Sequence, residues 1–248
     1  MPVKNELGSQ RVAIITGGSR GLGEALALQL RDEGYRIVEF SRTAPHSFSY
    51  QLDLSDSSKV EERVRSALSS IDPTCCSELV IVNNAGTLAP IGPAWLKPTN
   101  EVAANISINF SSAIIVLNQI ISHFRKAPYR KVIVNVSSGA ALKGYAGWSL
   151  YCASKAGMEG FIRALAVEER LQEHPFLAIS VDPGVIDTEM QASIRAASVT
   201  DFPDVERFIR RKNEGGLSSP PSVAGAILRI VSSPELVPGQ RYEAVGTR

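Results

Sequence analysis

The sequence predicts an α/β fold: a single-domain, doubly wound parallel sheet with helices on both faces. Short apolar, β-branched runs alternate with longer amphipathic stretches along nearly the whole chain, the pattern of successive βαβ units. A glycine cluster, Thr16-Gly17-Gly18-Ser19-Arg20-Gly21-Leu22-Gly23, sits where the first run gives way to the first stretch. The 248 residues suit one such domain with a sizeable core.

The elements follow in order. Arg11 to Thr16 reads as a buried strand stopped by glycine. Leu22 to Glu33 follows as an amphipathic helix ending at Gly34. Tyr35 to Ser41 is the second strand, and a short extended piece precedes Asp53. Ser57 to Ser70 reads as a helix capped by Ser55 or Asp56. Leu79 to Val82, Lys131 to Val136 and Phe176 to Val181 are further buried strands, separated by helices at Asn109–Lys126 and Ser154–Glu173. Arg241 to Val245 closes the sheet. Ligands of such sheets bind beyond the carboxyl ends of the strands, so chemistry is sought just after each strand.

Composition narrows the function. A net charge of +1, with 44% hydrophobic and 21% charged residues, gives no field for nucleic acid or an anionic membrane. Met1 to Gln10 is polar, without the apolar region of a secretory signal. Apolar runs such as Ala113–Leu117 are too short to cross a bilayer. Cys75, Cys76 and Cys152 suit neither a disulfide framework nor a metal site, so a reduced, cytoplasmic setting is expected, with no metal. His46, His123 and His174 are scattered and read as ordinary residues.

The glycine turn points to a phosphate-bearing ligand. Glycine lets the chain turn tightly and lets phosphate approach the backbone N–H groups, while the helix N-terminus adds partial positive charge. The second strand ends at Glu39-Phe40-Ser41-Arg42. A free adenosine ribose usually meets an acid there and a 2′-phosphate an arginine, so Ser41, Arg42 and Arg20 favour NADPH. Glu39 argues the other way, because alternation puts it on the face of Ser41. Asp53, followed by Leu54, either meets the adenine amine or caps the next helix.

Tyr151 and Lys155, four residues apart, share one face of a helix. An ammonium beside the phenol would lower its pKa and suit it to proton transfer. Asn135-Val136-Ser137-Ser138 ends a buried strand 13 residues before Tyr151. Ser138 can there bond a substrate carbonyl. Asn83-Asn84-Ala85-Gly86 ends another strand at the same edge, and Asn109 lies in the helix beneath.

Taken together, Thr16-Gly17-(x)3-Gly21-x-Gly23, Asn83-Asn84-Ala85-Gly86, Asn109, Ser138, Tyr151-(x)3-Lys155 and Pro183-Gly184 resemble the short-chain dehydrogenase/reductase family, in its order and spacing. The resemblance implies a Rossmann-type fold and a nicotinamide cofactor, NADP(H) from Arg20 plus Arg42. It implies cofactor contacts at Gly17, Ser19, Arg20, Gly21, Leu22, Gly23, Ser41, Arg42, Asp53, Leu54, Asn84, Ala85, Gly86, Tyr151 and Lys155. It also makes Tyr151 the acid/base, Ser138 the carbonyl-polarising residue, Lys155 the residue that lowers the tyrosine pKa and binds ribose, and Asn109 the holder of a relay water. Pro183, Gly184, Val185, Ile186 and Thr188 form a loop that would close over the nicotinamide, with the threonine near its carboxamide. Pairing into a homodimer or tetramer, through the helices at Asn109–Lys126 and Ser154–Glu173, is likewise implied.

The substrate is read more coarsely, as a small-molecule carbonyl compound. Pro183 to Arg195 and the ending near Gly239–Glu243 resemble the sepiapterin reductase and benzil reductase branch, which implies reduction of a ketone or vicinal dicarbonyl. Residues 187–216 are polar and helical in pattern, a natural lid or a solvated hairpin. Glu243 stands where sepiapterin reductases anchor the pterin with an aspartate, and reads otherwise as a surface acid. Trp95, Tyr145 and Trp148 form either an aromatic wall for flat substrates or core packing. Other reductions by this family, of a 3-oxoacyl thioester or a sugar or steroid ketone, and a non-catalytic NADPH-binding regulator are the alternatives.

Overall fold

A computed structural model describes residues 9–245; most of the polar N-terminal stretch read above lies outside them. Seven strands form one parallel sheet: β1 (Gln10–Thr16), β2 (Arg36–Ser41), β3 (Ser49–Gln51), β4 (Cys76–Asn83), β5 (Arg130–Val136), β6 (Leu177–Asp182) and β7 (Arg241–Glu243). Their spatial order is β3-β2-β1-β4-β5-β6-β7. The winding direction reverses between β1 and β4, which opens a crevice at their carboxyl ends.

Strand alternation assigns the two faces. Val12, Ile14, Phe40, Leu79 and Ile81 pack on one side against α2 (Val60–Leu68), α4 (Ser112–Phe124) and α5 (Ser149–Glu169). Ala13, Ile15, Val80, Val82 and Val134 pack on the other against α1 (Gly21–Asp32) and α8 (Pro220–Val231). A smaller apolar cluster lies apart, where α6 (Glu189–Arg195) and α7 (Val205–Asn213) bring Ile194, Val205 and Phe208 onto Trp148 and Tyr151.

Several boundaries differ from the sequence reading. The expected helix at Asn109–Lys126 begins ten residues earlier, as α3 (Thr99–Ile106) joined to α4 by a widened π-turn at Ser107–Ser111. This continuous helix, Thr99–Phe124, is long and apolar enough by length and composition to cross a membrane, because scattered polar residues do not disqualify it as short apolar runs did. Half of its most apolar stretch is buried, with Val116, Leu117, Ile120 and Phe124 in the core. The expected helix from Ser154 starts at Ser149, so Tyr151 lies in its first turn. Helix α8 escaped the sequence reading. Its signal was Ser219-Pro220: the Ser219 hydroxyl accepts from Ser222 N, and Pro220 opens the first turn.

One polar row crosses the sheet near its carboxyl edge. Thr16, Asn83, Asn135 and Ser180 occupy matching register positions on β1, β4, β5 and β6. The Thr16 hydroxyl donates to Asn83 Oδ1 at 3.5 Å, Asn83 Nδ2 to Asn135 Oδ1 at 3.0 Å, and Asn135 Nδ2 to Ser180 Oγ at 3.2 Å. All four residues are buried, and the row ties together the strands whose ends build the site.

Candidate active site

The glycine turn is held from the neighbouring strand end. Gly17 adopts φ +70°, open to glycine, and a Cβ there would sit 2.8 Å from the Ala85 Cα. Thr16 Oγ1 accepts from the N–H groups of both Asn84 and Ala85 at 3.1 Å. Asn84 Nδ2 in turn donates to the Thr16 and Gly17 carbonyls, at 3.1 and 2.9 Å. Asn84 therefore braces the turn itself. Backbone N–H groups at the start of α1 remain close to the surface beside a helix N-terminus, a fit for a dinucleotide's phosphates.

The end of β2 is arranged differently from its sequence reading. Glu39 is fully buried and accepts from Gly18 N at 2.8 Å and from the Ser41 hydroxyl at 3.0 Å. Its carboxylate is thus committed to the glycine turn and does not reach outward to a ribose. Ser41 is also turned inward, giving its proton to Glu39 and accepting from Ala44 N. Arg42 stays exposed, with no carboxylate partner among the described residues. Arg20 is exposed as well, but forms an ion pair with Glu189 at the start of α6. Asp53 makes a turn with Ser55, accepting from its N–H and hydroxyl, and does not cap α2; Asp56 bonds Ser58 and Lys59 instead of capping. Leu54 has its side chain in the core, and its carbonyl accepts from the Ser107 and Ser112 hydroxyls.

The opposite wall brings Ser138, Tyr151 and Lys155 to the carboxyl edge of β5. Ser138 follows β5 directly, and its Oγ accepts from Ala140 N at 3.2 Å, leaving the hydroxyl proton free to donate. Lys155 Nζ donates to the Val136 carbonyl at 2.7 Å and lies 5.6 Å from the centre of the Tyr151 ring. Burial dominates the titration of both groups. It pushes the Tyr151 phenol up to about 12, helped by Asp182 and opposed by the nearby Ser138 hydroxyl. It pulls the Lys155 ammonium down to about 8 against Asp182 and Glu159. The lowering of the phenol by the lysine that the sequence suggested is not seen here: burial sets the direction of the shift.

The whole arrangement matches one known group of proteins. The sequence model of short chain dehydrogenases matches residues 11–198. The chain belongs to the short chain dehydrogenase family. It is 38% identical to a benzil reductase ((S)-benzoin forming) of Bacillus subtilis (strain 168), over 88% of this chain and 92% of that one. It is 27% identical to the sepiapterin reductase of Bos taurus, over 94% and 93%. Among solved structures, that of the KRED1-Pglu enzyme superposes with a TM-score of 0.79 at 27% identity, covering 94% of this chain and 100% of the other. This short chain dehydrogenase is accordingly an oxidoreductase of carbonyl and hydroxyl groups, from a family that binds a nicotinamide cofactor.

The remaining sequence-predicted residues of this dehydrogenase fall into place around that edge. Asn109 lies in the π-turn, with Oδ1 accepting from Thr87 N and both amide hydrogens given to Thr87 O and Asn105 Oδ1. Its amide braces the loop after Gly86 and has no hydrogen left for a relay water. In the loop after β6, Gly184 takes φ +73° and donates to Asp182, while Val185 and Asp187 bond Ser218. Thr188 reaches the glycine turn, 3.3 Å from where a Gly21 Cβ would stand. The aromatic wall is built from Tyr145, Trp148, Phe202 and Phe208, with Trp148 and Phe202 stacked at 4.5 Å. Trp95 is 84% exposed and takes no part in it. Glu243 is exposed on the edge strand β7, in register with Asp182. The sequence reading missed Phe202 and Phe208, whose roles depend on how the α6–α7 hairpin folds back, and it missed Arg241, whose partners are distant in sequence.

Proposed function

We propose that this enzyme is an NADPH-dependent reductase of ketones and vicinal dicarbonyls, with Tyr151 as proton donor. The juxtaposition of a buried phenol, a serine hydroxyl with its proton free and a buried ammonium, all at the strand edge beside the glycine turn, carries the reading. The benzil reductase and sepiapterin reductase likenesses support the substrate class. Glycine turn, Asn84–Gly86, Lys155 and Pro183–Thr188 would hold the cofactor. Bound there, a reduced nicotinamide supplies the hydride. The protein's share is to polarise and protonate. Ser138 and Tyr151 donate hydrogen bonds to the carbonyl oxygen as negative charge grows on it, an effect worth roughly 3–4 kcal/mol per donor. A phenol held near 12 keeps its proton at neutral pH, which suits delivery in the reductive direction. Lys155, one hydrogen on Val136 O, has the rest of its ammonium for the ribose.

Preference for the 2′-phosphate is supported by exposed Arg42 and by Glu39, a carboxylate sealed beneath the turn where it cannot accept a ribose hydroxyl. The α6–α7 hairpin, roofing Tyr151 with Ile194 and Phe208, is suited to act as a lid. Apolar Val167 and Leu171, exposed on or just after α5, fit pairing with a second copy.

The test follows oxidation of NADPH and NADH with benzil, sepiapterin and simple diketones. Wild type should turn over with NADPH. Tyr151→Phe should lose turnover by at least about 100-fold while binding NADPH normally, and Arg42→Ala should lose the preference for NADPH. Full activity in Tyr151→Phe, or tight NADPH binding with no turnover across the panel, would refute the assignment.

A further inference from the structure

We propose that Arg241 is a positioning residue of the reductase site, the cation of a half-buried ion cluster that spans β7, β6 and α5 behind Tyr151 and Lys155. Arg241 Nη2 binds Asp182 Oδ2 at 2.6 Å, and Nη1 binds Glu159 Oε1 and, at 3.3 Å, Ser137 Oγ. Ser137 completes the ring by donating to the same Glu159 oxygen. Glu159 is 4% exposed. Each anchor adjoins a functional group in sequence. Ser137 precedes Ser138, Glu159 lies one helical turn after Lys155, and Asp182 also accepts from Gly184 N at 2.9 Å, which fixes the start of the loop that reaches Thr188.

Two carboxylates, buried Glu159 and half-buried Asp182, would by themselves set a negative field behind the site. Arg241 cancels it, and with Lys155 the four charges balance. The groups facing Lys155 are Glu159 on its own helix, Asp182 on β6 behind it, and the neutral Val136 carbonyl, Gly86 and Asn109 from the other side. Tyr151 faces Asp182, the Cys152 thiol and Ser138. Arg163 touches Glu159 only from the solvent side, at 3.7 Å. Asp182 acts on both groups with the same sign, and Glu159 on Lys155. Without Arg241 the surplus negative charge favours the protonated amine and the protonated phenol; with Asp182 neutralised the surplus positive charge disfavours both.

The inference rests on Tyr151 and Lys155 as the proton-handling pair. Its test therefore reads Lys155 without turnover. Lysines are labelled with 13C at Cε, and the Lys155 signal is assigned by its loss in Lys155→Arg and followed by NMR against pH. Arg241→Met should move its midpoint up, and Asp182→Asn should move it down, each by about half a pH unit or more. The alkaline limb of the reduction profile should move the same way. Should Arg241→Met not fold, Glu159→Gln serves beside Asp182→Asn, with a downward shift in both. Midpoints that stay put, or that shift upward in Asp182→Asn, while only melting temperatures change, would overturn the proposal and leave a merely structural ion cluster. An inactive wild type with the expected midpoint shifts would instead overturn the proposed reaction and leave the cluster's role intact.

Discussion

A methyl group at Gly23 would lie 2.1 Å from the Gly17 carbonyl oxygen and 2.5 Å from Asn84 Nδ2. Ordinary contact needs about 1.3 Å more room than the first of these provides. The obstacle is backbone in a turn that Gly17 holds at φ +70°, so rotating a side chain does not relieve it. Gly23→Ala must push the turn off the start of α1 and strip the Asn84 amide from Gly17 O, now 2.9 Å away. Overpacking costs roughly 1–3 kcal/mol, and the lost hydrogen bond about 1 kcal/mol. Better helix propensity offsets about 0.5–1 kcal/mol. A net destabilisation of roughly 1–3 kcal/mol corresponds to a melting temperature lowered by about 3–10 °C in a chain of this size. Because the same displacement moves the N–H groups proposed to hold the cofactor's phosphates, NADPH affinity should fall at least about tenfold, or 1.4 kcal/mol. Calorimetric melting and fluorescence titration with NADPH measure both. Gly225→Ala on α8 is the control, since its Cβ would meet only Arg229 and Gln29 atoms at 3.6 Å; it should stabilise slightly and leave binding alone. Wild-type melting and affinity in Gly23→Ala would refute the account of the turn.

Glu169 is buried, grips Arg125 with two 2.8 Å bonds and accepts from Phe176 N at 2.9 Å, so Glu169→Ala orphans all three contacts at once. A loss of about 3 kcal/mol is expected, read from the urea midpoint, because one orphaned charge is only partly hydrated. Lys155 titrates near 8 in the folded chain against an ordinary 10.5, so the unfolded chain binds more protons between those values. Its contribution to stability should therefore rise with pH from about 8 until the phenol of Tyr151, displaced the opposite way from 10, begins to oppose it. Chemical denaturation of Lys155→Met should lack that rise.

How much of this could be read from the chain depended on how local each cause was. The strands were legible because the buried runs carry their own signature of β-branched and apolar residues, and the glycine turn because Gly17, Gly18, Gly21 and Gly23 each answer to a close approach. The Ser138, Tyr151 and Lys155 set was read from a strand end, a four-residue spacing and the family resemblance together. The start of α5 was obscured by Gly144 and Gly147, which mask the first turn. Strand alternation put Glu39 on the face of Ser41, as found, but only the folded turn shows that this face is buried, with Gly18 sitting on the carboxylate. The direction in which Tyr151 shifts could not be read from the pair spacing, which reveals the ammonium but hides the burial. Arg241 joins partners 59 to 104 positions away, a relation that no window of sequence contains.

The row Thr16, Asn83, Asn135 and Ser180 has a further consequence. Every amide in it points the same way, so each is legible only to a neighbour in the right phase. A two-residue slip of β4 against β5 would set Ile81 opposite Asn135 and strand a sealed amide, at about 1–3 kcal/mol. The four side chains thus behave as a parity check on chain assembly: an oily sheet that tolerates sliding is made to refuse any alignment but the one that brings the rim of the proposed site together.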